Sequence, residues 1–538
     1  MQIHELNTIN RKPVATDYLA IDTGSDTAKI SAKNLILQPL DENNSPSYGA
    51  AGQLLRSKGN GETEWVNAGL PTDAQTAQAI SDWLAAHPEA TTTVQDGSIT
   101  EAKLDADLKN KTLNFYVTPE EYGAVGDGST DDTAAIQAAV DAASVNWGGV
   151  VQFGSKAYKC EGLTPKNNVT LRGTNGTVLA LSQTPTNHLI YYRSDTVLKN
   201  FNIENIKFDG RGQTSYDIIH IEKITDVVAY IWDESYVDKC WLLQGKTGVL
   251  CTVPGNVKIS NCIIQSNDVG LEQTYEHFHI VNTTFWGNRI GAKIHKANHF
   301  TWLNAVFAHN TEYGVYTDEA SFESVLNCCS FIDNVVNFRG PVHAYRFIGC
   351  RFITAQYGLL LEGNATVFTN VITGCYFAGL TVAAIKNSDI NDYNILIANN
   401  VFSANEKDIE NYGNDMNING NTFIVTETVA IDIAGSQSVG LQILNNHIRN
   451  ASAKTLNAYP AIRLHSEAIN AALIAGNMIR NDGSGRASYA VSMDNTYNSL
   501  SDILIANNVA RNMKTAGYRL RNVGTITQVN NIGTVESF

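Results

Sequence analysis

One phrase, an apolar anchor preceded by a bend residue, recurs along most of this chain and leaves few architectures open to it. The anchors are Phe208, Leu242, Ile264, Phe285, Phe307, Phe331, Phe352, Phe377, Phe402, Phe423, Ile448, Ile479, Ala510 and Ile532, spaced 21 to 34 residues apart. A period in that range marks a solenoid, in which each unit buries its apolar face only against its neighbours. Three residues before the anchor stands Asn or Gly, as at Asn261, Asn282, Gly349, Asn399, Gly476 and Asn507. These two types visit the left-handed backbone region at little cost, so the chain is expected to bend there. Ahead of the bend apolar residues alternate, as in Val257 and Ile259, Phe278 and Ile280, or Ile503 and Ile505. That is the period of a strand with one buried face. About six residues after the anchor, Gly or Ala (Gly248, Gly270, Gly291, Gly314, Gly358, Ala383) opens another short strand. The phrase spells strand, bend, strand, turn, strand. It predicts an all-β fold, a single-stranded parallel β-helix of about 12 to 14 coils with a period near 22 residues.

Cysteine usage follows from the same register. Two residues before the anchor stand Cys240, Cys262, Cys329, Cys350 and Cys375, five of the eight cysteines. The column continues as Asn400, Asn421, Asn446, Asn477, Asn508 and Asn530. Successive coils lie about 4.8 Å apart, so like residues stack. The thiols are therefore expected to be reduced and packed as small hydrophobes. A metal site would need histidine or further cysteine at ligand spacing, and none is expected. The net charge of −15 argues against nucleic acid or an anionic membrane as a partner, but not against a polysaccharide gripped by local basic residues. No apolar run of about 18 residues occurs, so neither a membrane span nor a secretion signal is expected.

Residues 1–113 do not share the period. "YLAIDTGSDTAKISAKNL" (18–35) reads as a short β element, and "DAQTAQAISDWLAAHPEA" (73–90) as an amphipathic helix with Ile80, Trp83 and Leu84 on its seam. The region is expected to serve attachment. In "PEEYGAVGDGSTDDTAAIQAAVDAA" (119–143), Tyr122-Gly123-Ala124, Gly126-Asp127-Gly128 and Asp131-Asp132-Thr133 lead into Ile136-Gln137-Ala138. This run resembles the opening segment of the pectate-lyase-like right-handed β-helix superfamily, as seen in bacteriophage tailspikes and tail-fibre depolymerases. "GGVVQFGSKAY" (148–158) and "NVTLRGTNGT" (168–177) resemble the strands that follow it there. The resemblance covers roughly residues 115–535. It implies a right-handed coil over 146–538 and a capping helix within 114–145, whose Ile136 and Val140 cover the first coil. It also implies no cofactor, a homotrimer, attachment to a phage tail or baseplate through the N-terminal region, and action from the virion on the host surface. Asp127, Asp131 and Asp132 are expected to make turns and a helix cap rather than a calcium loop.

The strand opened by Gly or Ala should carry two outward columns. One reads Leu250, Glu272, Lys293, Tyr316, Arg339, Leu360, Ile385, and the other Thr252, Thr274, His295, Asp318, Glu362, Asn387. An exposed strand face usually carries some charges, but acids, bases and an aromatic together are the mixture polysaccharide chemistry uses. Hydrolysis needs two carboxylates flanking the bond. Asp318 as base and Glu362 as acid, after Leu359-Leu360-Leu361, form the expected pair, with Glu272 in reserve. Lys293, His295, Tyr316, Arg339, Trp286 and Trp232 are expected to bind substrate, Trp232 walling the groove with Tyr236, and Trp302 to lie in the core. Elimination, with Tyr316 or His295 as base and Lys293 or Arg339 neutralising a uronate, is the alternative, and a non-catalytic receptor-binding protein is a third reading. Leu360 and Ile385, apolar and outward, suit contact between subunits.

Overall fold

The computed structural model describes residues 116–537, save 146–147, 226–230, 275–276, 297, 319–320, 363–368, 389–393, 436–437, 456–457, 483–486, 495–498 and 522–525. In the N-terminal region it describes 53–57, 63–67 and residue 82. The chain divides into two units, residues 1–109 and 110–538. In the first, Gln53–Ser57 pairs antiparallel with Thr63–Asn67, a hairpin the sequence reading did not anticipate. The expected β element at 18–35 and, apart from Asp82, the expected helix at 73–90 lie outside the described residues.

The second unit is a right-handed parallel β-helix. Among the described residues its coils form parallel sheets of 19 and 29 strands. The strands ahead of the bend make the smaller sheet. The larger joins the anchor strands to those that follow the turn, because Arg351–Leu361 and Tyr376–Asn387 run through that turn unbroken.

The coil "VNTTFWGNRIGAKI" (281–294) shows why polar and apolar residues recur at spacings of three. Asn282 has φ 50° and makes the bend. Phe285 points inward and stacks on Phe307 at 4.7 Å, the first step of a column that runs on through Phe331, Phe352, Phe377 and Phe402 to Phe423. Asn288 is buried, and its Nδ2 donates to the Ile264 carbonyl one coil back (3.0 Å) and to Asn310 Oδ1 one coil on (3.1 Å). Gly291 lies so close to the next coil that a Cβ would fall 2.4 Å from the Gly314 carbonyl oxygen. Bend, core, ladder and close approach follow one another.

The anchor register begins earlier than the sequence reading placed it, at Tyr158 and Leu179, and holds to Ala510. In the last coil it slips by one. Val509 pairs with Ile532, which is exposed, and Asn531 rather than Asn530 accepts from Asn508. Asn530 is the bend residue, with φ 50°. Gly533 takes the anchor place there, so the nearest apolar residue misled the reading. All eight cysteines are free, and the five in the column are buried.

The opening segment is itself part of the β-helix. Tyr116–Val117 pairs with Val150–Val151, and Asp127 and Asp131 pair with Ala157 and Lys159. The helix Thr133–Ala143 buries Ile136 and Val140, as expected. The Asp131 carboxylate accepts the Thr133 N–H, Asp132 accepts those of Val125 and Gly126, and Asp127 those of Ser129 and Thr130. Backbone amides thus occupy all three.

One further correction concerns the outward columns. Tyr376–Asn387 has 12 residues where Arg351–Leu361 has 11, and the extra residue shifts the register after Ala355. Ala384, not Ala383, takes the close-approach position over Gly358. Ile385 and Asn387 therefore turn inward and are fully buried, Lys386 takes the outward place, and Leu360 is buried as well. The apolar outward pair that suggested a subunit contact does not exist.

Candidate active site

Glu272, Lys293, Tyr316, Arg339 and Leu360 pair in register as one outward column. Their inward neighbours, such as Leu271, Ala292, Val315 and Phe338, fill the core, so strand alternation alone sends these side chains outward.

His295 is the centre of the group. Its Nδ1 lies 2.6 Å from Asp318 Oδ2 and its Nε2 lies 2.9 Å from Glu272 Oε1. The hydrogen bond with Glu272 raises the imidazole pKa, partial burial opposes the rise, and the Asp318 charge adds to it. This setting favours the imidazolium form, in which each ring N–H has a carboxylate acceptor. The imidazole ring itself fills the space between the two carboxylates. Burial pushes the Glu272 carboxyl up, but hydrogen bonds from His295 and from Lys293 (3.1 Å) leave it below the ordinary value.

Arg339 forms a second node. Its Nε donates to Glu362 Oε2 at 2.8 Å and its Nη1 to the Tyr313 hydroxyl at 2.5 Å. The guanidinium lies over the Tyr313 and Tyr316 rings, which stack at 5.0 Å. Tyr313 escaped the sequence reading because it precedes the strand-opening Gly314. Glu362 is not in the apolar setting expected of it. Leu359 and Leu361 point into the core, and the carboxylate faces Arg339.

Trp286 is exposed beside His309, with ring centres 4.2 Å apart, on the anchor strand Thr284–Trp286 rather than the strand carrying Glu272. Trp232 overturns its assignment. It is fully buried, edge-on to Phe278 at 6.2 Å, and has no surface for a ligand. Tyr236 lies in the same strand of the smaller sheet and donates to Glu204. Trp302 is in the core, as expected.

Two more polar groups went unread. Near the start of the helix, buried Asp217 lies 2.7 Å from His220 Nδ1 and 3.2 Å from His188 Nδ1. These three offer ligand atoms within 4.8 Å of one another. His188 Nδ1, however, already accepts the Asp217 N–H (2.9 Å), and His220 Nδ1 is in hydrogen-bond contact with the carboxylate, an orienting geometry rather than a ligand set. Further on, Glu410 and Asp432 lie under Lys386, Lys407 and Arg463. The inserted residue hides this group from strand alternation, which puts Ile385 where Lys386 stands.

Residues 117–337, which include the Glu272–His295–Asp318 group, match the family described as rhamnogalacturonase A/epimerase, pectate lyase-like. That stretch is a pectate-lyase-like segment of a parallel β-helix. A capsule-specific depolymerase of Klebsiella phage K5-2 is 32% identical over 125 residues, covering 22% of this chain and 15% of that protein. A mannuronan C5-epimerase of Azotobacter vinelandii is 44% identical over 69 residues, covering 11% of this chain and 4% of the epimerase. The chain thus matches only a small part of the length of these relatives. Among solved structures, the A-module of another Azotobacter vinelandii mannuronan C-5 epimerase is 16% identical, covering 78% of this chain and 99% of the module with a TM-score of 0.37. The pre-mature bacteriophage phi29 gene product 12 is 13% identical, covering 77% of this chain and 56% of that one with a TM-score of 0.42.

Proposed function

We propose that this protein is a tailspike-like depolymerase that binds and hydrolyses a bacterial surface polysaccharide on the outward face carrying Glu272, His295 and Asp318. The observation that carries the reading is His295 clamped between two carboxylates on the outward face. In this reading Asp318, the more exposed carboxylate, activates water. On substrate entry the His295 Nδ1–H exchanges Asp318 for the leaving glycosidic oxygen and gives it the proton, which frees Asp318 to take one from water. Glu272 keeps the imidazole charged and positions Lys293. Glu362 fixes Arg339, whose Tyr313–Tyr316 platform binds sugar together with Lys293. The similarity to a phage capsule depolymerase supports the substrate class, and the proposal includes attachment to a phage tail through the N-terminal region.

A second reading has one observation in its favour. Arg339 beside two tyrosines is also a means of neutralising a uronate next to a phenol base, as elimination requires. Incubation with capsular polysaccharides of candidate hosts separates the readings. New reducing ends without ultraviolet absorbance of an unsaturated uronate support hydrolysis, and that absorbance supports elimination. Binding with neither signal would leave a receptor-binding protein and refute both.

A further inference from the structure

Past the register shift, the outward column continues as Lys386, Glu410, Asp432 and Arg463. Asp432 is almost fully buried, accepts Arg463 through both oxygens (2.8 and 2.5 Å), and also contacts His465 (2.9 Å) and Lys407 (3.1 Å). Glu410, 8% exposed, holds Lys386 at 3.2 Å and a close contact with Lys407. The carboxylates form a floor. The cations above them, 25–31% exposed, form the surface, three positive groups over two negative ones.

The fold does not demand charge here, because Leu250 and Leu360 occupy the same column in other coils. Burying ions costs desolvation that apolar residues would avoid, so such a network is weak evidence for stability and better evidence for a site. Its surroundings suit a sugar. The ring of Tyr412 lies 5.4 Å from the Lys386 ammonium. In the neighbouring column the small residues Ser388 and Ala434 stand on either side of Tyr412. The chain's overall charge of −15 repels a uniform polyanion at long range, whereas three clustered cations can hold an isolated carboxylate.

We propose that this patch is a binding subsite for an acidic saccharide unit, whose carboxylate is held by Lys386 and Arg463 while the sugar rests against Tyr412. The proposal builds on the reading that this face takes a polysaccharide. It names the substrate as acidic and places the grip away from the Glu272–His295–Asp318 group.

The test is calorimetric binding of the full chain to a panel of purified bacterial capsular polysaccharides, each intact and after carbodiimide reduction of its carboxylates to neutral alcohols. The expected result is at least a tenfold loss of affinity on reduction. Lys386→Gln should lose most of that preference while binding the reduced polymer as the parent does. Lys386 is the residue to change because Lys407 still neutralises Glu410, whereas Arg463→Gln would take from buried Asp432 its two-oxygen partner and risk unfolding. Equal affinity for intact and reduced polymers, or a Lys386→Gln protein that keeps the preference, overturns the inference and leaves the polysaccharide reading standing. No binding to any polymer in either form overturns both.

Discussion

Replacing Asp408 with asparagine should stabilise the protein at neutral pH and change little in acid. Asp408 is fully buried, three residues past Asn405, whose Nδ2 donates to it at 2.8 Å, and Thr426 supplies a second hydrogen bond. Burial pushes its pKa up to about 7, although both hydrogen bonds oppose the rise. The sign follows from proton counts. Below about pH 4 the carboxyl is neutral folded and unfolded, and contributes nothing. Between about pH 4 and 7 the unfolded chain has lost the proton that the native state keeps, so stability falls as pH rises. Above about 7 both states are ionised and the loss is complete. A gap of roughly three units at 1.36 kcal/mol each makes the loss about 4 kcal/mol. Asparagine fits the site, since Asn334 donates to Asn337 in the same i, i+3 geometry three coils earlier. Its amide has no proton to lose. Guanidinium unfolding of both proteins from pH 4 to 8.5, compared as a difference so that other titrations cancel, should show the advantage of Asp408→Asn growing by about 4 kcal/mol. A difference that stays flat, or that favours the parent at high pH, refutes the reasoning.

Four further outcomes are expected. His295→Gln and Asp318→Asn should each lower turnover by about 10²–10⁴ with folding intact, and a variant keeping a tenth of the activity excludes its proton-transfer role. Glu272→Gln removes the main interaction that raises the His295 pKa, so the alkaline fall in kcat should move to lower pH, a shift a merely structural role would not produce. Asn446→Ala strands the Asn421 amides and the Ile418 carbonyl, and should cost about 1–3 kcal/mol in denaturant unfolding. Light scattering should return about three times the 58.6 kDa chain mass, as for tailspike-like trimers, and a monomer mass at micromolar concentration refutes that assembly.

The coil was legible because its parts are local. A left-handed bend at Asn282, an inward Phe285 and a crowded Gly291 each restrict residue type at their own position, and repetition makes the restriction readable. The outward face as far as Arg339 was legible by alternation, since every second residue of a strand shares a side. Alternation fails wherever one residue is inserted, as between Leu380 and Ala383, because such a slip turns the following side chains over. Lys386 and the Glu410–Asp432 network were lost in that way. Trp232 failed differently. A tryptophan in a charged run looks like a surface aromatic, and only its pairing with Gly255, in the inward register of Val257 and Ile259, shows that it points inward. Which carboxylate meets which base depends on rotamers across coils, and no spacing encodes that.

The stacked phenylalanines have a mechanical consequence. Each ring from Phe285 to Phe423 stacks on its counterpart in the adjacent coil, so load applied along the axis passes from one coil to the next. Pulled from one end, this column should peel rather than shatter, with each coil releasing roughly 70–90 Å of slack as its 21 to 25 residues straighten. The near-identical ring spacings make the successive rips close to equal in force, so the column yields as a ratchet of like steps instead of failing at a single weakest layer.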